Sequence, residues 1–369
     1  MKKITRTTFE LCLAGAIAVA SSYAVAQELP ARPAFGEDGT VQVPAFALPP
    51  SEFISAEALD QLKARAAQPT IVPTQEMDIA TARAGLEAAM APKVADMLER
   101  YPVDIEAQEI AGIPTRVLTP TDREPDPDRV LINLHGGAYT VCADACPVLE
   151  SAPIAALGGF RVVTVDYRMA PEAKHPAGVE DVAAVYRELL KSYQPEQIGI
   201  YGCSAGGNLT AQAAAWLPAH ALPQAGAVGI FGAGGVRFGA GDSAYIAAYI
   251  DGSFPAPAKA GEQELDMTRG YFDGVDMKDP IVAPALHPEV MARFPPTLII
   301  TGTRAMDMSP AIFTNSRLIK AGISSTLIVE EGMGHCYMYS PELPEAQDAF
   351  QATVNFFRAH LGERDESVN

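Results

Sequence analysis

The sequence lacks an excess of positive charge, and it has no apolar run of the length that a membrane span needs. Lys and Arg number 27 against 45 Asp and Glu, which gives a formal net charge of −18 at pH 7. Because a phosphate backbone attracts basic surfaces, this balance argues against nucleic acid as a partner. With 48% hydrophobic residues, the chain has enough apolar material for a substantial core.

Cysteine is scarce, with five residues in 369. Cys142 and Cys146 form one C-x-x-x-C pair without a second pair of well-spaced ligands, which argues against zinc. We therefore predict no metal site. The same two cysteines could form a small disulfide if both lie on one helical turn in an oxidising compartment. The sequence leaves this disulfide open.

The N-terminus has the pattern of a secretory signal peptide. Basic residues precede an apolar stretch from Leu11 to Ala20, and Ala24-Val25-Ala26 is a small-x-small cleavage site. We predict a signal peptide over residues 1–26 and an exported protein, either periplasmic or secreted. The alternative is a membrane anchor, although the apolar stretch is well short of the ~20 residues that a span needs.

The rest of the chain divides into an N-terminal extension with cap helices (27–103) and a catalytic domain (104–369). Helices are predicted to open at Ser55 and at Asp78, the second interrupted at Pro92. Residues 104–120 are predicted to form a hairpin around Gly112. Six short apolar runs bounded by turns or helices then predict buried parallel strands, at 130–135, 161–167, 198–202, 227–231, 297–302 and 326–330.

The expected architecture is therefore α/β, with a doubly wound, mostly parallel sheet. An insertion at about residues 237–290 interrupts the strand pattern, and Tyr245, Tyr249 and Phe254 lie in it. Such an insertion commonly forms a cap over the strand ends where open α/β sheets bind ligands. Its other interpretation is a structural elaboration without a gating role.

The chemistry centres on Gly202-Cys203-Ser204-Ala205-Gly206, which fits G-x-S-x-G. A buried strand precedes the motif and a helix-forming run follows it, the context that makes this pattern a nucleophile elbow. We predict that Ser204 is the nucleophile. As its base we predict His335, which follows the last predicted strand in a short loop with glycines.

The predicted acid is Asp307, the one carboxylate in the loop "TGTRAMDMSP" after the next-to-last strand. The order Ser204, Asp307, His335 is the order that hydrolases of this fold show. For the oxyanion hole we predict the N–H groups of Gly136, Gly137 and Ala205.

Five motifs follow one another along the chain: "HGGAY", "VDYRMAPEAKHPAGVEDV", "GCSAGGN", "DPIVAP" and "GMGH". Together they resemble the hormone-sensitive lipase family of α/β-hydrolases, the HGGG-type carboxylesterases. The resemblance implies an α/β-hydrolase fold with a helical cap, no cofactor, and hydrolysis of short to medium acyl esters. It also implies the roles given above for Ser204, His335 and the oxyanion residues.

The sequence departs from the family pattern at three positions. Ala138 replaces the third glycine, and Cys203 replaces the aspartate commonly found before the serine. Ala305 stands directly after "GTR", where many relatives have the acid, so Asp307 must reach His335 by a different bend of the loop. Cys203 and Cys336 each adjoin a predicted catalytic residue, which suggests either a redox switch or two small buried residues.

We therefore expect an exported serine carboxylesterase acting on a small-molecule ester, without a nucleic-acid partner or a membrane span. A lactone hydrolase of the same fold is an alternative that the sequence does not separate from an esterase. A non-catalytic, hydrolase-like binding protein is a second alternative, which Ala305 favours. Acyl and alcohol specificity and oligomeric state stay open.

Overall fold

The computed structural model describes residues 32–65, 67, 77–251 and 265–362. The predicted signal peptide lies outside these residues, as does the part of the predicted insertion that contains Phe254. The chain divides into two compact units, Met1–Pro49 and Pro50–Asn369. In the first unit, strands β1 (Ala34–Phe35) and β2 (Val41–Gln42) pair antiparallel.

The second unit is built on an eight-stranded sheet, mostly parallel, in the order β10-β9-β8-β7-β5-β6-β4-β3. The predicted hairpin forms the antiparallel edge, and each of the six apolar runs forms a parallel strand beside it. The fold predicted from the sequence is thus confirmed. The strands are β3 (Val103–Ile110), β4 (Ile113–Pro120), β5 (Val130–Leu134), β6 (Arg161–Val165), β7 (Ile198–Cys203), β8 (Ala227–Phe231), β9 (Thr297–Gly302) and β10 (Ser325–Glu330).

Nine helices are described in this unit, and none is long and apolar enough to cross a membrane. Those before β3, which the sequence assigns to an N-terminal extension, belong to the same compact unit as the sheet. The nine described helices are α1 (Ala56–Arg65), α2 (Ile79–Arg100), α3 (Ala145–Gly158), α4 (Ala177–Leu189), α5 (Ala205–Ala219), α6 (Ser243–Asp251), α7 (Pro288–Met291), α8 (Met308–Lys320) and α9 (Pro344–His360).

The two predicted helix starts are present as caps. The Ser55 hydroxyl accepts a hydrogen bond from the Ala58 N–H, and the Asp78 carboxylate accepts one from the Thr81 N–H. The prediction that Pro92 interrupts the second helix is wrong, because α2 continues through it. The apolar face of α2 packs against the core of the second unit, and this packing offsets the backbone hydrogen bond that a proline removes.

The central strands, β5 to β9, are buried on both faces. Side chains alternate along β5, so that Leu131 joins the apolar cluster formed with α3 and α9, whereas Ile132 joins the cluster formed with α4, α5 and α8. Burial on both faces explains why the strands read as continuous apolar runs in the sequence. The insertion contributes α6, on which the Tyr245 side chain is exposed.

Two disulfides link the cysteines that follow residue 27. Cys142 pairs with Cys146 across the start of α3, the small loop that the spacing allowed. Cys203 pairs with Cys336, 133 positions further along the chain. Both of these last two are buried, as the sequence suggested, and they are bonded to each other, which it did not predict.

Candidate active site

Ser204 lies at a sharp corner between β7 and α5. Its backbone has φ 60° and ψ −122°, a conformation that costs energy for a residue with a side chain. The corner is held by a hydrogen bond from the Ser204 N–H to the Phe231 carbonyl, with an N···O distance of 2.9 Å. A Cβ atom at Gly202 or Gly206 would lie 2.0 or 1.7 Å from the Leu134 carbonyl oxygen. Both positions therefore require glycine.

Asp307 and His335 are in contact at the same edge of the sheet. Asp307 Oδ1 lies 2.6 Å from His335 Nδ1, and Asp307 Oδ2 accepts a hydrogen bond of 2.5 Å from the Thr301 hydroxyl. The Asp307 side chain is fully buried, so these two partners replace the water that a carboxylate would otherwise contact. Asp307 thus orients the imidazole ring by its Nδ1 atom.

The loop before α8 explains how Asp307 reaches His335 although Ala305 stands after "GTR". The Ala305 N–H donates to the Gly302 carbonyl, and the Met308 N–H donates to the Ala305 carbonyl. These two turns bury Ala305 and bring Asp307 to the start of α8.

Ser243, at the start of α6, supports the same loop. Its buried hydroxyl donates to the Met306 carbonyl and accepts from the Ser309 N–H, at 2.6 and 2.8 Å. The sequence does not predict this role for Ser243, because nothing near it in the chain indicates a partner more than sixty positions away.

The Cys203–Cys336 disulfide joins the residue before Ser204 to the residue after His335. Cys336 Sγ lies 3.5 Å from His335 Nε2. Gly232 packs against this group: a Cβ atom there would lie 2.9 and 3.1 Å from the two sulfur atoms and 3.1 Å from His335 Cε1. The nucleophile corner and the histidine loop are therefore covalently linked and closely packed.

The three predicted oxyanion donors lie in two segments, the loop after β5 and the start of α5. Ala205 is the first residue of α5, where a helix leaves its N–H groups without helical partners. Gly137 lies in the turn after β5, and its N–H has no partner within the part of the chain that the structure describes. The prediction for Gly136 is corrected, because its N–H donates to Glu150 Oε1 at 2.9 Å.

Glu150, on α3, is a buried carboxylate beside the site, and no sequence motif indicated it. Its Oε1 accepts from the Gly136 N–H and, at 2.5 Å, from the Tyr339 hydroxyl. Its Oε2 accepts from Asn133 Nδ2 at 2.8 Å and from the Cys203 N–H at 3.1 Å. Burial raises the pKa of Glu150 to about 7, and the four hydrogen bonds oppose that rise.

Other histidines have structural surroundings. His135 is buried, stacks on Tyr167 and is held by the Gly136 carbonyl; burial lowers its pKa to about 4, which keeps the ring neutral. His220 and His287 contact main-chain carbonyls of Trp216 and Lys278. Among the described residues, no group of three or more His, Cys, Asp or Glu side chains could hold a metal ion.

A parallel sheet with a serine on a strand–helix corner and a His–Asp pair at the same edge defines an α/β hydrolase. A family model described as the alpha/beta hydrolase fold matches residues 131–339, and the chain belongs to this family.

Named relatives of this chain are hydrolases. An acetyl-hydrolase of Streptomyces hygroscopicus is 30% identical over 244 residues, which are 64% of this chain and 77% of that protein. A carboxylesterase/phospholipase, LipF of Mycobacterium tuberculosis, is 30% identical over 241 residues, 62% of each chain.

Solved structures agree with this placement. Esterase E25 has a TM-score of 0.73 and 29% identity, covering 87% of this chain and 99% of its own. An esterase from the bacterial hormone-sensitive lipase family has a TM-score of 0.71 and 26% identity, covering 84% and 99%. The family resemblance seen in the sequence motifs is therefore confirmed.

Replacing Asp307 by Asn tests whether this carboxylate serves His335. An amide cannot stabilise a positively charged imidazolium, so we expect kcat for p-nitrophenyl butyrate to fall about a thousandfold or more. Steady-state kinetics would be measured together with the thermal melting temperature.

The matched control is Asp181→Asn, since Asp181 is also buried and pairs with Arg168 away from this loop. It should lower the melting temperature and leave kcat near that of the wild type. An unchanged rate in Asp307→Asn would show that the acid lies elsewhere.

Proposed function

We propose that the protein is a serine carboxylesterase that hydrolyses short to medium acyl esters through an acyl-enzyme intermediate. The observation that carries the proposal is the 2.6 Å contact between Asp307 and His335 at the sheet edge where Ser204 forms the nucleophile corner. Names of the relatives support the reaction class: acetyl-hydrolase, carboxylesterase/phospholipase and esterase.

In the proposed mechanism, the Ser204 hydroxyl attacks the ester carbonyl while His335 accepts its proton through Nε2. Asp307, on Nδ1, holds the ring and stabilises the imidazolium. The N–H groups of Gly137 and Ala205 bind the oxyanion of the tetrahedral intermediate. His335 then returns the proton to the departing alcohol, and a water molecule activated by the same histidine releases the acid from Ser204.

The alternatives differ in how much the site supports them. A lactone hydrolase would use the same groups on a cyclic ester, so only substrates distinguish it from an esterase. A non-catalytic binding protein was favoured in the sequence by Ala305 alone. Since Asp307 contacts His335 despite Ala305, that argument for lost catalysis loses its basis.

We also propose that the protein is exported, to the periplasm or the medium. Two disulfides support this, because such bonds persist in oxidising compartments and are rare in the cytosol of mesophiles.

N-terminal sequencing of the protein purified from its native source checks the proposal of export. A signal peptide over residues 1–26 predicts Gln27 as the first residue. Retention of residues 1–26 would contradict cleavage at this site.

Turnover of p-nitrophenyl acetate, butyrate and octanoate by the wild type and by Ser204→Ala tests the proposed reaction. We expect release of p-nitrophenol by the wild type and its loss in the variant, because the alanine offers no nucleophile. Circular dichroism would show that Ser204→Ala keeps the fold. Turnover that survives in the variant would contradict the assignment of Ser204, and hydrolysis of lactones alone would favour the alternative.

A further inference from the structure

Glu150 is the one charged residue of α3, a helix that is otherwise apolar or small and mostly buried. Its side chain lies behind the nucleophile corner and contacts no group that the proposed mechanism uses directly. Burying a carboxylate is costly unless hydrogen bonds replace the water that it loses. The four hydrogen bonds that Glu150 accepts provide this replacement, and two of them come from main-chain N–H groups.

These two N–H groups belong to the two segments that form the oxyanion hole. Gly136 directly precedes Gly137 in the loop after β5, and Cys203 stands two residues before Ala205 at the corner after β7. A Cβ atom at Gly136 would lie 3.4 Å from Ser204 Cβ, so the loop and the corner approach each other closely here.

We propose that Glu150 is a positioning residue that holds the two halves of the oxyanion hole in register. One carboxylate oxygen fixes the loop through Gly136, and the other fixes the corner through Cys203. The inference rests on the proposed esterase function, since the hole is defined by that reaction. The Cys203 side chain is bonded to Cys336, and Glu150 contacts this residue through its main-chain N–H.

The geometry requires a carboxylate rather than an amide. In Glu150→Gln, the NH₂ group must replace one of the two oxygens. Tyr339 can rotate its hydroxyl to accept, and Asn133 can turn its Oδ1, which is without a partner among the described residues, toward the new amide. The main-chain N–H groups of Gly136 and Cys203 cannot adapt. Whichever way the glutamine side chain turns, one of them faces an NH₂ group and loses its acceptor.

The test measures kcat and KM for p-nitrophenyl butyrate, and the rate of labelling by a fluorophosphonate, in wild type and Glu150→Gln. We expect kcat and the labelling rate to fall about tenfold to a hundredfold, because displaced donors bind the oxyanion less well. KM should stay within about twofold, because the displaced N–H groups stabilise the transition state and not the bound ester.

The matched control is Glu345→Gln. Glu345 is as buried as Glu150, each being 8% exposed, and it accepts hydrogen bonds from the N–H and hydroxyl of Ser55. The control should lower the melting temperature while kcat stays near the wild-type value. Loss of kcat in Glu150→Gln but not in Glu345→Gln would separate positioning from general destabilisation.

A folded Glu150→Gln variant with wild-type kcat would overturn the proposal, as would a raised KM with unchanged kcat. If Glu150→Gln does not fold, Glu150→Asp replaces it: its shorter carboxylate cannot reach both N–H groups, and the same criteria apply. Labelling keeps the test independent of the substrate, because it reports the hole even if the wild type hydrolyses no p-nitrophenyl ester. Absence of wild-type ester turnover would count against the proposed function instead.

Discussion

The active-site edge depends on the close approach of helix α5 to the backbone of strand β5. The Leu134 carbonyl lies so near Gly206 that no Cβ atom fits between them. Glycine at positions 202 and 206 permits this approach, and the loop that follows β5 lies against the corner, where a Cβ atom at Gly136 would be 3.4 Å from Ser204 Cβ. The other groups of the site come together because β5, β7, β9 and β10 are parallel. The loops that follow these strands therefore leave the sheet at one edge.

Two buried carboxylates at that edge have different hydrogen-bonding partners. Asp307 is paired with a histidine and a threonine hydroxyl, an arrangement suited to orienting an imidazole and supporting its positive charge. Glu150 is surrounded by N–H and O–H donors, an arrangement suited to fixing the main chain around it. Burial raises the pKa of Glu150, and the donors are what allow a carboxylate to be kept there. The environment of each group, rather than its type, decides its role.

Much of this fold was readable from the sequence, because its signals are local. The parallel strands are short apolar runs between turns or helices, and the nucleophile corner is a five-residue motif with a strand before it and a helix after it. Asp307 could also be predicted from the sequence, since its loop holds one carboxylate. The predicted interruption at Pro92 was wrong, because the packing of α2 on the core outweighs the helix-breaking preference of proline.

Features that depend on distant partners were not readable. Nothing in the sequence pairs Cys203 with Cys336, which stand 133 positions apart. The direction of the Gly136 N–H follows from Glu150 on another element, so the motif alone assigned it to the oxyanion hole. The sequence of α3 contained one signal for Glu150. It is the one charged residue in an otherwise apolar helix, and a charged side chain buried there requires hydrogen-bonding partners.

The most direct test of the account is to map the site of covalent labelling. The wild-type protein would be treated with a fluorophosphonate, digested without reduction and analysed by tandem mass spectrometry. We predict one adduct, on Ser204, in a peptide that is disulfide-linked through Cys203 to the peptide containing His335 and Cys336. An adduct on another residue, or none at all, would contradict the assignment of Ser204 as an activated nucleophile.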